Sequence, residues 1–175
     1  MIDNKDESLK ETGRCAAAAI VEMVAALECD YDRLTELRDL ESEVKEHLEA
    51  GCPPSHYDMT ADDKAELAAL KESAGECASR EDTETRIHED ALSVEVRSDW
   101  HSPGDPDGAH MPSEFCILLA TGGPAVRIRG ELDSHCEPRR AWLEVQDWGT
   151  PWTQYFDVSQ DVLLAYAHCF VYGEG

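Results

Sequence analysis

The sequence predicts an α+β protein: an N-terminal helical region, then a three- or four-stranded antiparallel sheet covered by a C-terminal helix. Three observations predict it. Apolar residues recur at helical spacing through the first 76 residues. After residue 93 they alternate with polar residues or run in strand-length blocks between Gly/Pro-rich turns. Large rings, which supply much of a core's buried area, cluster late in the chain: 10 of 12 aromatic residues, including all four Trp and all three Phe, follow residue 92. The expected organisation is an acidic helical region over 1–76, a linker over 77–92 and an α+β core domain over 93–175.

The first helix is expected over 8–28, where four alanines (Ala16, Ala17, Ala18 and Ala19) precede Ile20, Met23, Val24 and Leu27 and allow close helix contact. From Tyr31 a second helix sets Leu34, Leu37, Leu40 or Glu41, Val44 and Leu48 on one stripe, and Gly51-Cys52-Pro53-Pro54 ends it. Thr60 is placed to cap a third helix over 61–74, with Asp62 and Asp63 in the first turn, where the helix dipole favours acids, and Leu67, Leu70 and Ala74 on its apolar side. Residues 75–84 are polar and carry no period, and 85–92 reads equally as a short helix or the lead-in to a strand.

A strand over 93–99 follows from the alternation of Val94 and Val96 with Glu95 and Arg97. Pro and Gly punctuate 101–108, which makes that stretch a loop. The continuous apolar run 115–120 suits a central strand, and Thr121-Gly122-Gly123-Pro124 turns the chain. Residues 125–132 and 139–148 form an antiparallel hairpin, in which Arg127 and Arg129 share a face and are answered by Glu131, Glu144 or both. The last helix starts near Val158, capped by Asp157 or Ser159, and turns Val162, Leu163, Ala165, Tyr166, Cys169 and Phe170 toward one sheet face.

With 15 Lys and Arg against 38 Asp and Glu, the 175 residues carry a formal charge of −23. That excludes direct binding to a phosphate backbone, which needs a basic surface. It also exceeds the magnitude of about 2–8 that suffices for the solubility of a small domain, and it costs stability through self-repulsion. Residues 1–92 hold 25 acids and 10 bases, residues 93–175 hold 13 and 5, so most of the excess is N-terminal. No run reaches the roughly 18–20 apolar residues of a membrane span, and the first residues lack a basic and then apolar leader; a cytoplasmic protein without membrane contact is expected. The seven cysteines, never spaced C-x-x-C, read as reduced thiols.

The strongest functional lead is an acidic stripe. Asp32, Glu36, Asp39, Glu43 and Glu46 follow steps of four and three, so five carboxylates line about 21 Å of helix at roughly 1.5 Å per residue. One such helix is sparser than a nucleic-acid strand, which carries a charge every ~3.4 Å. Two or three such helices side by side, with Asp62, Asp63, Glu66, Glu72 and Glu76 added, approach that density. The competing account is an ordinary solvated face. A second lead is the loop Asp147-Trp148-Gly149-Thr150-Pro151-Trp152-Thr153, whose two indoles either anchor a partner or plug the sheet–helix junction.

Other motifs carry less. Gly122-Gly123 precedes a strand and lacks the following Lys-Ser/Thr of a phosphate loop. His101, His110, His135 with Cys136, and His168 with Cys169 show no metal-ligand spacing, so neither metal nor cofactor is expected. His135-Cys136 is the least poor pairing for a nucleophilic thiol, and carboxylate pairs are too numerous to discriminate anything.

The runs Gly122-Gly123-Pro124-Ala125-Val126-Arg127-Ile128, Gly130-Glu131-Leu132 and Gln146-Asp147-Trp148-Gly149-Thr150-Pro151-Trp152-Thr153 resemble a group of uncharacterised phage and prophage proteins across 94–172. The resemblance implies a mobile-element origin and, by analogy, an anti-defence protein of the anti-CRISPR or antirestriction kind; it brings no catalytic residues. Together with the charge it points to a non-enzymatic inhibitor, an acidic nucleic-acid mimic that blocks the basic channel of a host CRISPR or restriction complex. The alternatives are a protein–protein adaptor anchored by Trp148 and Trp152, and an enzyme of unknown class. A homodimer is compatible with all three.

Overall fold

The structure, a computed structural model, describes residues 3–51, 58–100 and 111–173. Its elements in chain order are α1 (Asp3–Leu27), α2 (Tyr31–Glu49), α3 (Ala61–Ala74), α4 (Arg80–Asp90), β1 (Ser93–Ser98), β2 (Pro112–Ala120), β3 (Ala125–Leu132), β4 (Pro138–Gln146), β5 (Thr153–Tyr155) and α5 (Gln160–Ala167). The α+β class holds.

Short polar side chains start the helices by accepting from otherwise unpaired N–H groups. Asp30 Oδ1 accepts from Arg33 N at 2.9 Å at the head of α2. Thr60 and Asp63 exchange bonds in a capping box at the head of α3. Ser159, rather than Asp157, caps α5 through Val162 N. Gly75, at φ 55°, follows α3 in a conformation other residues adopt at a cost.

The chain divides into two compact units, Met1–Val24 with Glu84–Gly175, and Ala25–Thr83. This differs from the expected boundaries in two ways. The first residues of the long α1 belong with the sheet: Gly13 leaves room for the Tyr155 ring, whose Cδ2 lies 2.3 Å from where a Cβ would stand. The expected linker over 77–92 is largely α4. Its start is fixed by Ser79 Oγ accepting from Asp82 N and Asp82 Oδ2 accepting from Ala78 N. Its buried side is only Thr83 and Ile87, too few apolar positions to show a period.

In the first unit the five strands pair antiparallel in the order β1-β2-β3-β4-β5. β5, three residues long, was not expected, and β2 begins three residues before the apolar run. Alternation puts Phe115 and Ile117, Val126, Ile128 and Leu132, and Ala141, Leu143 and Val145 on the buried face, where α5 packs on β4 with Leu163, Tyr166 and Ala167. At Gly130 a Cβ would sit 2.1 Å from Arg140 O and 2.3 Å from Phe115 Cε1, so only glycine lets the chain pass. Tyr166 reaches from α5 to α4, donating to Asp90 Oδ2 at 2.8 Å, and Phe170 lies against the His88 ring with centroids 4.9 Å apart.

In the second unit Leu34, Leu37, Met59, Leu67 and Ala74 form the core, flanked by Cys29, Tyr31, Leu40, Val44 and Leu70. Side-chain bonds close it: Tyr31 with Thr83 at 2.8 Å, and Ser73 Oγ to Ala25 O at 2.8 Å. α2 and α3 run in the same sense, since Arg33 meets Asp63 and Glu66 while Glu41, two turns on, meets Lys71.

Candidate functional site

The unit Ala25–Thr83 holds 17 acids and 6 bases in its sequence. The apolar stripe of α2 faces its core, so the acidic stripe is exposed at Asp32, Glu36, Asp39, Glu43 and Glu46. The eight carboxylates singled out from the sequence separate by what each one touches. Asp63 belongs to the helix: it accepts from Thr60 N and Thr60 Oγ1, which holds its carboxyl below the usual carboxylate range. Arg33 gathers three of them, reaching Glu66 at 2.8 Å and Glu36 and Asp63 at 3.3 Å, and Glu66, with Glu36 adding to it, raises the guanidinium's already high pKa. Asp32 and Asp62 lie in first turns, where the helix dipole stabilises them.

Asp39, Glu43 and Glu46 remain. Their side chains are exposed and meet no cation among the described residues. Asp39 and Glu43 lie beyond the first turn of α2, outside the reach of the helix's positive end. Glu46 sits in the last turn, where that dipole disfavours an anion. The sequence pattern had treated all eight acids alike, and only the structure separates capped, paired and unpaired ones.

The aromatic loop closes on itself: Asp147 N donates to Thr150 Oγ1, Thr150 N to Asp147 O, and Gln146 Nε2 to Thr150 O. Gly149 takes φ 73°. Its two indoles do different things. Trp152 packs on the outer sheet face, with the Arg127 guanidinium 3.9 Å from the ring centroid. Trp148 is 72% exposed and lies over Gly123, where a Cβ would be 1.8 Å from its Nε1.

The arginines of the outer face that Trp152 joins are held by carboxylates. Glu144 takes Arg127 at 2.6 Å and the Trp142 N–H at 3.1 Å. Arg129 pairs with Glu114 on β2, which also holds Arg97 at 2.7 Å, while Glu131 takes Arg139 and Arg140. Arg129 is therefore answered from the strand before it and not by Glu131 or Glu144; the β2/β3 register, hidden in the sequence, decides this. Glu114 is held below the usual carboxylate range by Arg97, with Arg129 adding to it. Among the described residues each arginine of that face has a carboxylate partner.

A depression of about 560 Å³ is lined by His135, Cys136, Glu137, His168 and Tyr172 among others. Cys136 takes φ 63°, and His168 Nδ1 lies 3.2 Å from Glu137 Oε2. Among the described residues the Cys136 Sγ has no imidazole within hydrogen-bond distance, so the His135-Cys136 pairing forms no nucleophile–base couple. The six cysteines of the described segments are free thiols, and burial pushes the Cys116 thiol up, away from the reactive form. Among the described residues no three His, Cys, Asp or Glu converge as metal ligands, and no helix is long and apolar enough to cross a membrane. His101, His110 and Cys52 lie outside the described residues.

Comparison of the chain with protein-family models, with curated proteins and with solved structures gives no match.

Proposed function

We propose that the chain is a non-enzymatic anti-defence inhibitor of mobile-element origin, an acidic mimic of nucleic acid. In this reading the acidic face of α2 enters the basic DNA- or RNA-binding channel of a host CRISPR or restriction complex. One observation carries it: Asp39, Glu43 and Glu46 are exposed and meet no cation among the described residues, and Glu46 stands where α2 itself disfavours a negative charge. A stripe kept only for solubility gains nothing from that placement. Lys and Arg of the partner supply the missing counterions, so association is fast and weakens with salt.

The test is a pull-down from nuclease-treated host lysate with the tagged chain, washed at low and high salt. The expected result is a nucleic-acid-binding complex that elutes with salt and is displaced by added DNA or RNA. A partner that survives high salt and has no nucleic-acid affinity overturns the reading.

The exposure of Trp148 favours a second reading, a protein–protein adaptor anchored by that indole. Trp148→Ala is its probe, because Trp152 covers the Arg127–Glu144 pair and its removal perturbs the sheet. Loss of a salt-resistant partner in Trp148→Ala supports the adaptor, and unchanged capture of a salt-sensitive one removes it.

A further inference from the structure

β1 ends the sheet. It pairs with β2 on one side, and among the described residues no strand pairs with its other side. Edge strands are commonly blunted by charged side chains, above all Lys, or by Pro; β1 contains no Lys or Pro, and its two charges, Glu95 and Arg97, are of opposite sign. Its one irregularity lies at its end, between Arg97 and Ser98.

The side chains along this edge complement themselves. On one face Val94 and Val96 are 39% and 49% exposed, continuing the row of Ile117 and Phe115, and Leu92 beside them is 56% exposed. On the other face stand Glu95 and Arg97, across from Cys116 and Glu114. Glu95 meets no cation among the described residues. Arg97 meets Glu114 through Nη2.

Two copies of such a strand joined antiparallel by a two-fold axis must keep like faces together, so the register shifts only in steps of two residues. Centred on Val96, the pairing puts Glu95 opposite the partner's Arg97 and Arg97 opposite the partner's Glu95, with Val96 against its own copy and Val94 opposite the partner's Ser98. Centred on Glu95 or on Arg97, it puts like charges directly opposite each other, which is destabilising. Centred on Val94, it puts Glu95 opposite the partner's Ser93 and forms no ion pair, so among these four registers the charges favour the one about Val96.

We propose that the chain forms a symmetric homodimer through β1, with the two five-stranded sheets joined edge to edge about Val96. The dimer is independent of the acidic-mimic reading, since β1 carries none of the residues used there.

Sedimentation velocity of the full chain over a wide concentration range tests it. The wild type sediments as a concentration-dependent dimer. Glu95→Arg and Arg97→Glu each turn two attractive contacts into repulsive ones and weaken the dimer by on the order of tenfold or more. An equimolar mixture of the two variants regains opposite charges at both pairs and dimerises as the wild type does, although each alone does not. Circular dichroism establishes that both variants fold. The mixture keeps the test decisive for Arg97→Glu, which also loses its bond to Glu114. A wild type that stays monomeric throughout overturns the proposal, and so does a dimer that either single variant leaves intact or that the mixture does not restore.

Discussion

Replacing Tyr166 by Phe removes one oxygen from a side chain that is 0% exposed, and the consequence can be worked from its partners. The phenol donates to the Asp90 carboxylate at 2.8 Å, with Ile87 O a more distant 3.4 Å away. A hydrogen bond to a charged acceptor contributes about 1.5–3 kcal/mol, against about 0.5–1.5 kcal/mol for a neutral pair. Tyr172 is the internal control, since its hydroxyl donates to the Ala167 carbonyl at 2.9 Å. For a chain of this size each kcal/mol moves the midpoint by about 2–4 °C. Tyr166→Phe is expected to lower Tm by about 3–12 °C and Tyr172→Phe by about 1–6 °C. Tryptophan fluorescence is the assay, because all four Trp belong to the sheet unit and report its unfolding. A Tyr166→Phe protein within about 0.5 kcal/mol of wild type, or less affected than Tyr172→Phe, refutes the claim that α4 is clamped to α5 by a charged hydrogen bond.

Three further outcomes follow from the same unit. Gly130→Ala forces a methyl onto Arg140 O and the Phe115 ring and is expected to destabilise by at least about 1–3 kcal/mol in urea unfolding; a neutral effect contradicts the close approach. Glu114 has its folded pKa below the ordinary glutamate value of 4.5, so its contribution is complete above that value and is lost as pH falls through the lowered one. Urea midpoints for wild type and Glu114→Gln are therefore expected to converge as pH drops from neutral to below 4, and a constant gap refutes the pairing. Tyr166 and Tyr172 are raised by burial, so their contribution is present below the ordinary value of 10 and is lost only as pH rises beyond it. In a phenolate absorbance titration two of the five tyrosines should ionise only with unfolding, and five ordinary titrations below that transition contradict the burial.

Periodicity made most of the fold legible. Leu34 and Leu37 mark the inner face of α2, Thr60 and Asp63 mark the start of α3, and the alternation from Ala125 to Leu132 marks β3 to the residue. α4 escaped because Thr83 and Ile87 are its only fully buried side chains, and β5 because three residues carry no period. The place of α1 beside the sheet rests on Gly13 meeting Tyr155, a contact across 142 residues of sequence that local patterns do not encode. The acidic stripe was legible as a stripe. Its sorting was not: Arg33 collects Glu36, Asp63 and Glu66 only because α3 lies alongside α2 in the same sense. The indoles of the aromatic loop likewise had two readings, and neither plugs the sheet–helix junction: Trp152 covers Arg127 on the outer face and Trp148 rests on Gly123.

The central claim is that the exposed carboxylates Asp39, Glu43 and Glu46 of α2 serve a partner and not the fold, and the triple reversal Asp39→Lys, Glu43→Lys, Glu46→Lys tests it most directly. Cations near the end of α2 suit its dipole, so the unit is expected to melt at the wild-type temperature or above. Capture of the salt-sensitive partner is expected to fall by more than tenfold, a loss of over about 1.4 kcal/mol of binding. A variant that remains folded and still captures the same partner within about twofold contradicts the account.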